Sequence, residues 1–334
     1  MRRETKRTAL QEVIPLETPF VLHIELTNVC NLKCKFCTEQ NEDLMRKLGI
    51  QRGFMKRDVF ESIIDNLKKF PKKLKRLYLY HGGESLLHKD AISFIQYAKQ
   101  AQIAEQLVLF TNGTLLTEQL GTELAHSGLD LIQISVEGVS AEQYEEIAGR
   151  RIDYDKFLAG IANLYRQKPL GCELHAKILD CGLSEEDKAK FHRDFAGISD
   201  QHYIEQLLDS CPADVMDTTL GRGATTTQEG KELKEKLVCT QPFYVSVIYY
   251  DGTVGGCSCG DWRRATHIGN VTEEMFYQIW NGEKHRAFCR LQLAGERKKC
   301  LSCSDCKDIQ NQLDDIDPYR MELLKRLDEK QVIV

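Results

Sequence analysis

The feature that most restricts the fold is an alternation of short strand-like runs with stretches of helical spacing. The strand-like runs are "FVLHIEL" (Phe20–Leu26), "LKRLYLY" (Leu74–Tyr80), "QLVLF" (Gln106–Phe110), "DLIQISV" (Asp130–Val136), "CELHAKIL" (Cys172–Leu179) and a weaker one at His202–Leu207. Between Lys56 and Phe70 the apolar residues Val59, Phe60, Ile63, Ile64, Leu67 and Phe70 fall on one helical face. Further helices are predicted near Asp90–Gln102, Thr117–Ser127, Ala141–Ala148, Tyr154–Arg166 and Glu185–Phe195. Such alternation predicts an α/β fold with a parallel sheet. Six strands fall short of the eight that close a standard barrel, so a partial (β/α)6 TIM-like barrel is expected. Function then belongs at the C-terminal ends of the strands. The unusual sequences sit there: a cysteine loop, "HGGES", "TNG" and "SVEG".

After about residue 210 the character changes. A Gly-, Thr- and Asp-rich stretch reads as a linker, and "FYVSVIYYDGTVGGC" (Phe243–Cys257) reads as a hairpin around Asp251-Gly252. Helices follow near Glu273–Trp280 and Glu283–Leu293. The expected organisation is a polar lead-in (1–19), a barrel core (20–210), a linker (211–238), a small hairpin-plus-helix domain (239–310) and a helical tail (311–334).

Composition excludes several classes. The formal net charge of −5 gives no support to a nucleic-acid partner. No apolar run is long enough for a membrane span, and the charged N-terminus lacks a secretory h-region, so a cytoplasmic protein is expected. In that compartment thiols stay reduced, and thirteen cysteines point to metal or redox work rather than disulfides.

Cys30, Cys34 and Cys37 form C-x3-C-x2-C directly after the first strand. Three thiolates can hold three irons of a cubane and leave the fourth open. The alternative is zinc completed by a distant ligand, although zinc sites more often use paired C-x2-C knuckles. At the other end, Cys239 and Cys257 flank the hairpin, and "CLSCSDC" adds Cys300, Cys303 and Cys306. These are enough to close a second cluster. A zinc clip from the same residues is the alternative. Cys172, Cys181, Cys211, Cys259 and Cys289 read as buried small hydrophobes.

The run "CNLKCKFC" resembles the cluster loop of the radical S-adenosylmethionine (radical SAM) superfamily. The resemblance implies a [4Fe–4S] cluster on Cys30, Cys34 and Cys37 whose open iron chelates S-adenosylmethionine. It implies reductive cleavage to a 5′-deoxyadenosyl radical, and an electron donor such as flavodoxin or ferredoxin. "GGES" resembles the motif that binds the methionine amino group, through Gly82, Gly83 and Glu84. Thr111, Asn112 and Ser135 resemble ribose and carboxylate contacts, Phe36 an adenine neighbour, and Arg151 or Arg150 the carboxylate partner. The C-terminal pattern, with "IGNVTEEMFYQIW" (Ile268–Trp280), resembles the SPASM/twitch extension. It implies an auxiliary [4Fe–4S] cluster on Cys239, Cys257, Cys303 and Cys306, with Cys300 as alternate.

A closed auxiliary cluster suits electron acceptance. Resemblance to twitch-type dehydrogenases therefore implies oxidation of a small polyol, aminocyclitol or sugar-type substrate. His175, Lys177 and Asp180, on or just after the fifth strand, are the candidate bases. The alternatives are a maturase acting on a precursor peptide, and an epimerase using Cys181 or Cys211 as hydrogen donor. Maturases often carry a leader-peptide domain, and none is expected before Phe20. A non-catalytic metal-binding interaction protein is the remaining class.

Overall fold

The computed structural model describes residues 8–208, 220, 226–227, 231–258, 261 and 263–329. Cys211 and Cys259 lie outside the described residues, as does most of the expected linker.

In chain order the regular elements begin with α1 (Leu10–Val13), β1 (Val21–Ile24), α2 (Glu42–Lys47), α3 (Arg57–Leu67), β2 (Leu74–Tyr78) and α4 (Ala91–Ala101). There follow β3 (Ala104–Thr111), α5 (Glu118–Ala125), β4 (Leu131–Val136), α6 (Ala141–Ala148), α7 (Tyr154–Gln167), β5 (Glu173–Asp180), α8 (Glu185–Phe195) and β6 (Gln201–Gln206). The C-terminal part holds β7 (Val245–Ile248), β8 (Thr253–Gly255), β9 (His267–Asn270), α9 (Phe276–Asn281), α10 (Glu283–Leu293), α11 (Leu301–Ser304) and α12 (Arg320–Glu329). Caps explain several boundaries. The side chains of Thr117, Ser140, Asp153 and Ser184 accept backbone N–H groups at the starts of α5, α6, α7 and α8.

Strands β1 to β6 form the expected parallel, unclosed barrel sheet. Side chains divide by parity. Along β5, Leu174, Ala176 and Ile178 are buried beneath the helices, whereas His175 and Lys177 belong to the alternate, lumen-facing set. The same parity puts Leu22 and Ile24 of β1 in the helix-side core and His23 in the lumen. Apolar burial on the helix side is the main stabilising term of such a layer.

The hairpin does not stand apart from this sheet. β7 pairs in parallel with β1 from Val21↔Val245 to Ile24↔Ile248, and β8 and β9 extend the edge antiparallel. One nine-stranded sheet results, in the order β6-β5-β4-β3-β2-β1-β7-β8-β9. The N-terminal lead-in also differs from the polar arm expected. Leu10 and Ile14 are buried in a second core with Phe243, Leu293, Leu323 and Leu327. Their four-residue spacing, matched by Leu323 and Leu327, forms a short apolar stripe hidden among charges. No described helix is long and apolar enough to cross a membrane.

Candidate active site

The cluster loop leaves β1 through Glu25, Leu26, Thr27 and Asn28. Thr27 donates to the Gly53 carbonyl at 2.6 Å, and Asn28 donates to the Gln51 carbonyl at 2.7 Å. These bonds fix the chain before Cys30. The loop is closed from the other side by Lys33 N–H and Lys35 N–H, which donate to the carbonyls of Ala148 and Ile147 at the end of α6.

Three strand-end motifs converge on this loop. Glu84 is almost fully buried and is the hub. Its carboxylate accepts Leu86 N–H at 3.0 Å, the Thr111 hydroxyl at 2.8 Å and Asn112 N–H at 2.7 Å. Burial raises its pKa against the pull of these donors. Asn112 then donates to Asn31 Oδ1 at 2.8 Å and stands 3.9 Å from Cys30 Sγ. Gly83 is required by close approach: a Cβ there would lie 2.4 Å from the Thr27 carbonyl oxygen and 2.5 Å from that of Val29. Ser135 on β4 pairs in register with Lys177 on β5 and so lies on the lumen side. Phe36 is half-buried between Lys35 and Cys37.

The arginines divide. Arg151 is held on the surface by Glu142 and by Glu145 at 3.3 Å. Arg150 is the one that reaches the cluster loop, donating to the Asn31 carbonyl at 3.2 Å. Of the three candidate bases, His175 and Lys177 face the lumen, where they pair with Glu173 at 2.8 Å and Glu205 at 3.1 Å. Asp180 has the helix-facing parity and pairs with Lys188 of α8 at 3.2 Å, so the structure does not bring it to the lumen.

Cys30, Cys34 and Cys37 are partly buried. Burial, the Glu137 carboxylate, and then Cys37 and Cys30 all push the Cys34 thiol up, so Cys34 lies within the field of the other two sulfurs. The C-terminal thiols divide: Cys303, Cys239 and Cys306 are pushed up, whereas the hydrogen bond with Cys303 holds Cys300 below the usual thiol range. Cys303 is pushed up by its hydrogen bond to Cys300, by burial, and by the charges of Cys300, Cys257 and Cys239. Cys239 is pushed up to about 12, by burial first and with a contribution from Cys306. Cys303 also accepts from Gln292 Nε2 at 3.7 Å, and Cys300 Sγ lies 3.9 Å from the Ala265 carbonyl. Among the described residues no group of three His, Cys, Asp or Glu is gathered tightly enough for a single metal ion. Thiols around a cubane stand farther apart than ligands around one ion. Apart from Cys300, the shifted thiols of both groups are pushed up mainly by burial and by neighbouring thiols or carboxylates, so they ionise readily only against cationic iron, which suits iron–sulfur clusters.

Asp261 ties the stretch after β8 to the run that carries the C-terminal thiols. This buried carboxylate accepts from the Ser302 hydroxyl at 2.6 Å, Thr266 N–H at 3.1 Å and the Tyr249 hydroxyl at 3.2 Å. Arg263 forks onto Asp305 at 2.6 and 2.7 Å.

Several site residues were not anticipated from sequence. His23 lies flat on Tyr78, with ring centroids 4.6 Å apart, and Tyr80 stacks on Phe110 at 4.7 Å. Burial, then neighbouring His81, lowers the His23 pKa to about 3, so its imidazole is neutral. Glu137, two residues beyond Ser135, has its carboxyl raised to about 7 by burial, with Lys177 pulling the other way. The polar–apolar alternation of "VLHIE" carried a signal for His23. Glu137 had only its place after Ser135.

The Radical SAM superfamily pattern matches residues 24–172, and the iron–sulfur cluster-binding SPASM pattern matches residues 239–307. The chain carries a radical SAM domain and a SPASM domain. This radical SAM enzyme uses a [4Fe–4S] cluster, S-adenosylmethionine and an auxiliary iron–sulfur cluster. It is 26% identical over 339 residues, covering 85% of this chain and 86% of the relative, to the tungsten-containing aldehyde ferredoxin oxidoreductase cofactor-modifying protein of Pyrococcus furiosus. It is 31% identical over 163 residues to a PqqA peptide cyclase of Rhizobium meliloti, covering 47% of this chain and 38% of the relative. The fold is similar to BtrN in complex with AdoMet and 2-DOIA (TM-score 0.54, 18% identity, 89% and 94% of the two chains). It is also similar to Streptococcus suis SuiB bound to S-adenosylmethionine (TM-score 0.63, 15% identity, 90% and 73%).

Proposed function

We infer that this radical SAM enzyme oxidises a small polyol, aminocyclitol or sugar-type substrate in the barrel lumen. The carrying observation is the nearness of the C-terminal thiols: Cys303 is hydrogen-bonded to Cys300 and feels the charges of Cys257 and Cys239, and Cys239 that of Cys306. Four of them, Cys239, Cys257, Cys303 and Cys306, saturate a cubane and leave no iron for a substrate ligand. When bound, the cofactors supply a 5′-deoxyadenosyl radical at the first site and an electron acceptor at the second.

The chain's own part is positioning. Cys30, Cys34 and Cys37 hold the first cluster, and the Gly82–Gly83 turn presents backbone to the methionine end. Glu84 locks that turn to Thr111 and Asn112. Ser135 and Glu137 line the same mouth, and Arg150 is better placed than Arg151 for the carboxylate side. His23, Tyr78, Tyr80 and Phe110 give an aromatic wall with polar neighbours, suited to the faces and hydroxyls of a ring polyol. His175 or Lys177 takes the hydroxyl proton. The unit boundaries proposed are a barrel core over 20–210 and an auxiliary unit over 239–310. A flavodoxin or ferredoxin as electron donor, and a cytoplasmic setting, fit this chemistry. The cofactor-modifying relative from Pyrococcus furiosus also points to a small-molecule substrate.

The test is deuterium transfer. The reconstituted enzyme, reductant and S-adenosylmethionine are incubated with carbinol-deuterated aminocyclitols and sugars. Label in 5′-deoxyadenosine with a ketone product supports the reading, and no transfer from any member of the panel removes it. The second reading is peptide maturation, favoured by the 31% identity to the PqqA peptide cyclase. Label arriving only from deuterated peptides selects it.

A further inference from the structure

Arg264 belongs to both cluster sites at once. Its neighbours Asp261, Arg263 and Ala265 contact the run that carries Cys300 and Cys303. The next residue, Ala265, donates its N–H to the Ser302 hydroxyl oxygen at 3.2 Å and has Cys300 Sγ 3.9 Å from its carbonyl. Arg264 itself adopts a left-handed conformation, φ 51°, which costs energy for a residue with a Cβ. That turn sends the guanidinium to the other site. Its Nη2 lies 3.2 Å from Glu25 Oε1 and 3.8 Å from Glu39 Oε2, and the group sits 4.0 Å over the Tyr249 ring.

The two carboxylates are integral to the first site. Glu25 directly follows β1 and Glu39 lies two residues after Cys37. Both press on the glycine turn: a Cβ on Gly82 would stand 2.6 Å from Glu25 Oε2 and 3.0 Å from Glu39 Cδ. His81 completes the cluster, with Nδ1 3.5 Å from Glu25 Oε2 and Nε2 2.9 Å from the carbonyl of Ser258, the neighbour of Cys257. Two acids and two bases are therefore buried together between the sites. Arg264 Nη2 donates to Glu25 Oε1 at 3.2 Å, but Glu25 Oε2, Glu39 Oε2, His81 Nδ1 and Arg264 Nε each lack a hydrogen-bond partner among the described residues. A small inward shift of the glycine turn or of the stretch after β8 would turn long ion contacts into hydrogen bonds, and each part would gain from the other's movement.

We propose that Arg264 is a positioning residue that couples the two sites: by clamping Glu25 and Glu39 beneath the Gly82–Gly83 turn, it makes S-adenosylmethionine binding and the seating of the stretch after β8 strengthen each other. The inference rests on the reading that this turn binds S-adenosylmethionine. Without the guanidinium, the two buried carboxylates keep His81, with Arg52 near Glu39 and the Tyr250 N–H on Glu25, and repel each other more strongly under the turn. Linkage requires the effect to run both ways.

The test is anaerobic equilibrium binding of S-adenosylmethionine to the unreduced holoenzyme, with iron content measured in parallel. Arg264→Met is expected to weaken binding on the order of tenfold. Arg264→Lys, which keeps the charge, restores most of it. A Cys257→Ala/Cys303→Ala variant is expected to lose affinity similarly, and adding Arg264→Met to it costs little more. Full iron content with wild-type affinity in Arg264→Met overturns the proposal, as does wild-type affinity in the double cysteine variant. If Arg264→Met loses iron, Glu25→Gln is read the same way: weakened binding supports the coupling and unchanged binding overturns it. A wild-type protein that binds no S-adenosylmethionine would instead defeat the assignment of the turn.

Discussion

Glu84, on the turn after β2, accepts the backbone N–H of Asn112, on the turn after β3, at 2.7 Å. This bond joins the glycine turn to the Thr111–Asn112–Gly113 turn, and Asn112 carries the link on to Asn31 in the cluster loop. A carboxylate held by three donors is thus a structural hinge-pin as well as a candidate ligand. Glu84→Gln keeps the shape and loses charge-assisted bonds, so the variant is expected to lose about 1–3 kcal/mol of stability. S-adenosylmethionine affinity should fall with it, and denaturant titration alongside equilibrium binding checks both.

Cys34→Ser is expected to abolish cleavage of S-adenosylmethionine and to lower iron from about eight to about four per chain. Iron analysis and 5′-deoxyadenosine release measure this. Eight irons with no cleavage would move the fault away from the cluster loop.

Cys257→Ala should lose about four irons as well. Here, however, 5′-deoxyadenosine release persists at saturating S-adenosylmethionine, despite weaker binding, while substrate oxidation stops. Loss of both activities at saturation would mean that the second thiol group is needed for cleavage itself and not only for affinity.

Gly83→Ala forces a Cβ to within 2.4 Å of the Thr27 carbonyl oxygen, a backbone atom held in the loop. The expected cost is about 1–3 kcal/mol, read as a lowered denaturation midpoint, with binding of S-adenosylmethionine lost. Wild-type stability in this variant would show that the turn has room to move.

The pH dependence of Glu137 has a defined sign. Burial raises its carboxyl from 4.5 to about 7 in the folded chain, so the folded state holds the proton more tightly. Its contribution is therefore most favourable below the unfolded value and is lost as pH rises through about 7. In the iron-free protein, stability relative to Glu137→Gln should fall between pH 5 and pH 8 by on the order of 2 kcal/mol. Parallel curves for the two proteins in denaturant titrations at both pH values would refute it.

Much of the barrel was legible because its periodicities are local. The strand runs, the helix faces such as Phe60, Ile63, Ile64 and Leu67, and the motifs at strand ends all lie within short windows. What was not legible depends on segments far apart. β9 is only His267–Asn270 and has little pattern of its own. The pairing of β1 with β7 joins residues more than two hundred positions apart, and no local signal marks it. The same holds for Glu25 and Arg264. Each looks like an ordinary surface charge until tertiary packing encloses both. Asp180 shows the reverse error, since a position one residue off in parity sends a polar side chain to the helix layer.

β1 is hydrogen-bonded on both sides, to β2 and to β7. The strand that delivers the cluster loop therefore has no exposed edge. An auxiliary unit attached this way is not a detachable cap. Cutting the chain ahead of β7 would uncover four residues of raw β1 edge and invite intermolecular strand addition. Exchanging auxiliary units between enzymes of this kind has to carry the seventh strand across with them, so the seam for such grafts lies inside the sheet and not at the linker.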